Sequence, residues 1–134
     1  MKSVATYGTV IVLVHAVMAA THGIAHLVIP VTLSLFSTLF VAVVIGLAPF
    51  VAARMLWGRK AQVGVWLLFA SMLAAFLFGV YNHFIALSPD HVARVPDHDA
   101  TPIFQATAYT IMVLEAIGAG IGFWGMGHRL TMEA

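Results

Sequence analysis

Four long apolar runs divide the chain, and each ends at a proline, a basic cluster or a polar loop. The runs cover residues 6–29, 31–56, 62–87 and 102–126. Each holds about 24–26 residues, enough at about 1.5 Å per residue to cross a hydrocarbon core of about 30 Å with some tilt. Backbone polar groups in lipid must be satisfied within the segment, so helices are the expected form. The pattern predicts an all-α fold: an integral membrane four-helix bundle forming a single transmembrane domain over residues 1–134. The first and second helices should meet at Pro30 with almost no loop, as a tight antiparallel hairpin, and Pro49 should kink the second helix. The first run continues past Ala20 to Ile29, longer than the apolar stretch of a cleaved signal peptide, so it is read as a spanning helix.

Composition agrees with this reading. The chain of 134 residues is 62% hydrophobic and 8% charged, with mean hydropathy +1.01. A soluble domain carries about 25% charged residues. A surface this poor in charge must face something apolar, and the first partner expected is the lipid bilayer. Net charge is +1 and there is no basic run, which argues against nucleic acid. There is no cysteine, so disulfides, thiolate metal sites and thiol catalysis are excluded. The chain carries no phosphate loop, no Gly-x-Ser-x-Gly and no His-Glu-x-x-His.

The placement of cationic residues gives an orientation. Arg54, Arg59 and Lys60 lie between the second and third runs, Lys2 precedes the first and Arg129 follows the fourth. Four crossings put these regions on one side, so both termini should be cytoplasmic. The loop at 88–101 should face outward; it has Arg94 against Asp90, Asp97 and Asp99. The membrane expected is a bacterial or archaeal cytoplasmic membrane. Within the loop, Ser88-Pro89 and Thr101-Pro102 each read as an N-cap followed by proline at the first helical position. The first predicts a short surface helix at 89–95, and the second starts the fourth helix. Pro89-Asp90-His91 and Pro96-Asp97-His98 form a small internal echo.

Seven histidines are many for this length. His15, His22 and His26 fall on one stripe of the first helix, together with Gly8 and Ala19. His83 near the end of the third helix matches His22 and His26 in depth. Ionisable residues in a membrane segment are costly and usually face the bundle interior. His22 and His26, one turn apart, are spaced to chelate a first-row metal, with His83 as a third ligand. His91, His98, Asp90 and Asp97 are candidates to close such a site from the loop. Asn82, Gln105 and Tyr109 are candidate supporting polar groups, and Ser34, Ser37 and Thr38 add a polar cluster at the start of the second helix. The ligand types favour Zn, Cu(II) or Fe. Haem b, with two of these histidines as axial ligands, is the alternative cofactor. Glu115 and His15 fall at one level near mid-membrane and are expected to form a buried polar pair. His128, beside Arg129, reads as a plain cytoplasmic residue.

These features support an outward-facing His-rich site binding a transition metal or haem, serving membrane electron transfer or metal handling. Two other readings compete. One is a non-catalytic small subunit of a larger membrane redox complex, or a homo-oligomer, docking through the small-residue face at Gly118 and Gly122. The other is a proton or ion pathway through His15 and Glu115. An accessory or subunit role is expected ahead of a stand-alone enzyme.

Overall fold

A computed structural model describes residues 2–29 and 31–130, with side chains as far as Gly127. Pro30, expected at the first turn, and the side chains of His128 and Arg129 lie outside the described residues. Four helices run antiparallel: α1 Lys2–Val28, α2 Leu35–Leu56, α3 Ala61–Ile85 and α4 Thr101–Leu130. All four are long and apolar enough to cross a membrane. Large side chains stay exposed along them, among them Leu27 at 86%, Leu35 at 76% and Phe123 at 68%. Water would not tolerate so continuous an apolar surface, whereas lipid does.

The bundle has two ends. One carries the start of α1, the end of α4 and the α2–α3 link with Arg59 and Lys60; the other carries the α1–α2 link and the long loop. At the terminal end the core is built from small and branched residues of every helix, including Val4, Val12, Ala52, Leu56, Leu68 and Met72. Trp57 donates from Nε1 to Thr9 Oγ1 at 2.8 Å, tying the end of α2 to α1. At the loop end a second core gathers Ala25, Ile29, Val31, Val92, Phe104 and Ala108. Glycines permit the closest helix approaches. A Cβ on Gly122 would fall 2.7 Å from the backbone nitrogen of Phe69, and one on Gly64 would fall 2.9 Å from that of Leu56. Gly118 likewise faces Met72. The Gly118/Gly122 face expected to dock a partner is therefore spent on packing α4 against α3.

Several boundaries differ from the sequence reading for local reasons. Helix α2 starts at Leu35 and not at residue 31, so the α1–α2 link is longer than a bare proline turn. Ser34 sets the start: its side chain accepts from Ser37 N–H at 3.1 Å, as an N-cap does. Thr38 donates back to the Ser34 carbonyl at 2.9 Å. The Ser34/Ser37/Thr38 cluster is thus a helix cap. The break expected at Pro49 takes the form of widened, i→i+5 bonded turns over Val41–Leu47. Proline lacks an N–H and crowds the carbonyl four residues earlier, and the wider turn relieves that crowding. No residue from Leu35 to Leu47 is buried, whereas Pro49, Ala52, Ala53 and Leu56 are. The second half of α2 packs deep in the bundle, while the first half touches it at fewer points, as where Phe40 stacks on Phe78 at 4.5 Å.

The surface helix expected at 89–95 does not form. The segment is a series of turns, because Val92 N–H is taken by the carbonyl of His83 at 3.0 Å and Arg94 N–H by that of His91 at 2.7 Å. Ser88 accepts from Asp90 N–H at 3.3 Å, two residues on, as in a turn and not a helix cap. Thr101 also bonds back into the loop, donating to the Pro96 carbonyl at 2.7 Å.

Candidate metal centre

The α1 stripe points inward as its spacing requires. His15 and His22 are buried and His26 is largely so. A second widened turn, Tyr81–Ile85, closes α3 and carries His83. Asn82 Nδ2 donates to the carbonyl of Phe78 at 2.8 Å, which such a turn leaves short of its usual partner. His83 thereby meets α1. Its ring centroid lies 4.9 Å from that of His22, which in turn lies 4.8 Å from His26. Phe104 of α4 packs against all three rings at 4.7, 5.0 and 5.6 Å.

One ring nitrogen from each of His22, His26 and His83 lies within 4.8 Å of the others, the one such group of three among the described residues. In a tetrahedral site with metal–nitrogen bonds of about 2.0–2.1 Å, ligand nitrogens stand about 3.4 Å apart. The three rings would have to draw together by that difference to hold one ion.

Proton placement decides whether the nitrogens are free to ligate. The hydroxyl of Thr107 donates to the carbonyl of Ile103 at 2.6 Å. The same hydroxyl also reaches the Phe104 carbonyl at 3.0 Å; with its single hydrogen on either carbonyl it accepts from His22 Nδ1, 2.9 Å away. In that arrangement His22 carries its proton on Nδ1 and keeps a lone pair on Nε2. That Nε2 is buried with no hydrogen-bond partner. His83 Nδ1 lies 3.0 Å from the carbonyl of Asp90, which can only accept, so its lone pair is also on Nε2. His26 Nε2 lies 3.2 Å from Asp90 Oδ1, and His26 Nδ1 is buried without a partner. A carboxylate oxygen favours the proton on the nitrogen it faces, leaving the lone pair of His26 on Nδ1. Two buried nitrogens thus make no well-aligned hydrogen bond, and a metal ion would satisfy them.

Asp90 enters the site as an orienting group for the rings. Its Oδ1 also lies 3.4 Å from His83 Nδ1. It is within ion-pair reach of two imidazoles but is aligned for a hydrogen bond to neither. Burial raises its pKa above the ordinary carboxylate range, and His83 and His26 pull it back down. A carboxylate behind a ligating imidazole is the usual device for fixing ring orientation and basicity. Gln105 anchors the loop above it, donating to the Val92 carbonyl at 2.8 Å.

The remaining candidates stay out of the cluster. His91 and His98 each accept at Nδ1 from a backbone N–H two residues on, from Ala93 and Ala100 at 3.1 Å, so the sequence echo is a repeated turn. Asp97 is exposed. Tyr109 is exposed and packs on Phe84 at 5.0 Å. Thr107, which sets the tautomer of His22, was not among the sequence candidates. The register holds the signal: His15 meets Glu115, and seven residues along each antiparallel helix bring His22 to Ala108, next to Thr107.

The expected mid-membrane pair forms. His15 Nε2 lies 3.2 Å from Glu115 Oε1, with both side chains 2% exposed. Between this pair and the three histidines lies a cavity of about 350 Å³, lined by His22, His26 and Asp90 at one end and Glu115 at the other. Haem fits poorly here. Ring centroids 4.8 and 4.9 Å apart leave no room for a macrocycle between His22 and either neighbouring histidine. Comparison with family models, curated proteins and solved structures finds no match to this chain.

Proposed function

We propose that this is a membrane metal-binding protein that holds one divalent first-row transition metal on His22, His26 and His83. The observation that carries the reading is the pair of buried, unpartnered nitrogens, His22 Nε2 and His26 Nδ1, beside His83. An all-imidazole set backed by a carboxylate suits Zn, Cu(II) or Fe. Three protein ligands leave a position open, as in sites that exchange an ion or act on a bound molecule; sealed structural sites have four. The role that follows is metal handling, or electron transfer within a membrane redox assembly. The positive-inside rule orients the terminal end to the cytoplasm and this site outward.

The test is metal analysis of protein purified in lipid nanodiscs. Stoichiometric metal, or stoichiometric uptake of Co(II) with a ligand-field spectrum of nitrogen coordination, is expected. His22→Ala and His83→Ala should abolish it while the helical content stays unchanged. Wild-type protein that takes up no Co(II), Zn(II) or Cu(II), or that shows a Soret band, would overturn the proposal.

A further inference from the structure

The cavity below the histidines has polar groups at its ends and apolar walls between them. Leu27, Ile45, Phe78, Ile111 and Met112 form much of those walls. Thr107, which holds His22, and Glu115 are eight residues apart on α4, so the polar ends stand about 12 Å apart along the helix axis. The volume of about 350 Å³ equals roughly a dozen water molecules at about 30 Å³ each. Buried water needs two to four polar partners, and the mid-section offers few, so an apolar occupant suits it better. The size and lining match those of small-molecule sites: apolar walls with a few convergent polar groups.

Glu115 supplies the recognition element. Its side chain is 2% exposed, and Oε1 is engaged by His15. Oε2 is buried and has no partner, and Glu115 lines the cavity. In the charged pair, with the shared proton on His15 Nε2, Oε2 keeps both lone pairs. It is an acceptor awaiting a donor. Gly79, which also lines the cavity, lies beside it: a Cβ there would lie 3.5 Å from Oε2, an ordinary contact distance. Phe78 and Met112 favour an aromatic body.

The geometry points to a binding site for a lipid-soluble phenol-type molecule, its ring and short apolar substituent in the cavity and its hydroxyl donating to Glu115 Oε2. The site rests on the cavity and Glu115 and does not require the metal.

The probe is 4-hexylphenol, titrated calorimetrically into nanodiscs carrying the protein, with empty nanodiscs as the blank for partitioning. Metal content is measured on the same samples, and the titration is repeated after chelation, so failure of the metal reading and failure of this one are separable. Saturable binding of 4-hexylphenol is expected. The matching methyl ether, which has no donor, should bind about tenfold or more weakly, the usual scale for losing a hydrogen bond to a carboxyl group. Gly79→Val fills the space beside Oε2 and leaves His15, Glu115 and the three histidines in place. It should weaken phenol binding at least tenfold with metal stoichiometry unchanged. No saturable phenol binding, equal binding of the ether, or undiminished binding by a folded Gly79→Val protein would each overturn the assignment.

Discussion

His22 Nδ1 lies 2.9 Å from Thr107 Oγ1, a hydroxyl that also reaches the carbonyls of Ile103 at 2.6 Å and Phe104 at 3.0 Å. The contact joins α1 to α4 and fixes which nitrogen of His22 is free. Thr107→Val keeps the shape of the side chain and removes the acceptor. His22 then loses its orienting partner, and metal affinity should fall about 10–100-fold, the usual cost of losing a group that holds a ligand in place. Thr107→Ser should retain most of the affinity. Competition with a chromophoric chelator measures both, and equal affinity in Thr107→Val and wild type would show that Thr107 does not position the ring.

Asp90 faces His26 and His83 together. Asp90→Asn removes the negative charge and can present an N–H where both rings need an acceptor. Metal affinity should again fall about 10–100-fold. Asp97→Asn, on an exposed carboxylate of the same loop, should leave it unchanged within about twofold, the scale of an exposed electrostatic contact. Equal losses in the two variants would mean that loop charge matters and the Asp90 contact does not.

Both residues show where the sequence was legible and where it was not. Helix number and the inward stripe of His15, His22 and His26 follow from hydropathy and a 3.6-residue period, both local properties. The His15–Glu115 pair follows from counting depth along antiparallel helices. The loop was harder. Asp90, Asp97, His91 and His98 look equivalent in an echoed tripeptide, and only the backbone bond from Val92 to His83 turns Asp90 inward. That bond joins residues nine apart in the chain and has no periodic signature. The start of α2 was misplaced for a related reason. Hydropathy continues unbroken through Val31 and Leu33, while the cap at Ser34 is a matter of hydrogen bonding that an apolar run does not reveal.

His15 and Glu115 are each other's partner in a setting with little else polar. His15→Leu leaves both carboxyl oxygens of Glu115 unpaired and should cost about 3 kcal/mol, the lower end of the range for breaking a buried pair. Replacing both residues with leucine removes the unpaired group and should recover more than half of that loss. Unfolding in mixed micelles gives the three values. A double variant no more stable than His15→Leu would mean that packing, and not polar pairing, sets the cost.

Gly118, Gly120 and Gly122 lie within five residues of α4 and should respond very differently to alanine. A Cβ on Gly120 meets nothing within 4 Å, so Gly120→Ala should be neutral or slightly stabilising through helix propensity. On Gly118 it would fall 2.8 Å from Met72 Cγ and 2.9 Å from Cε, part of a flexible side chain that can swing aside. Gly118→Ala should cost less than about 1 kcal/mol. On Gly122 it would fall 2.7 Å from Phe69 N and 2.8 Å from its Cα. Backbone cannot rotate away, so α3 and α4 must separate along this contact. Gly122→Ala should therefore cost about 2 kcal/mol, within the range for overpacking a filled interior. Thermal unfolding in nanodiscs should rank the three as Gly120→Ala, Gly118→Ala and Gly122→Ala in falling stability. If Gly122→Ala instead melts with wild type, the α3–α4 contact is looser than 2.7 Å implies, and Gly118 and Gly122 become available again as a surface for another chain.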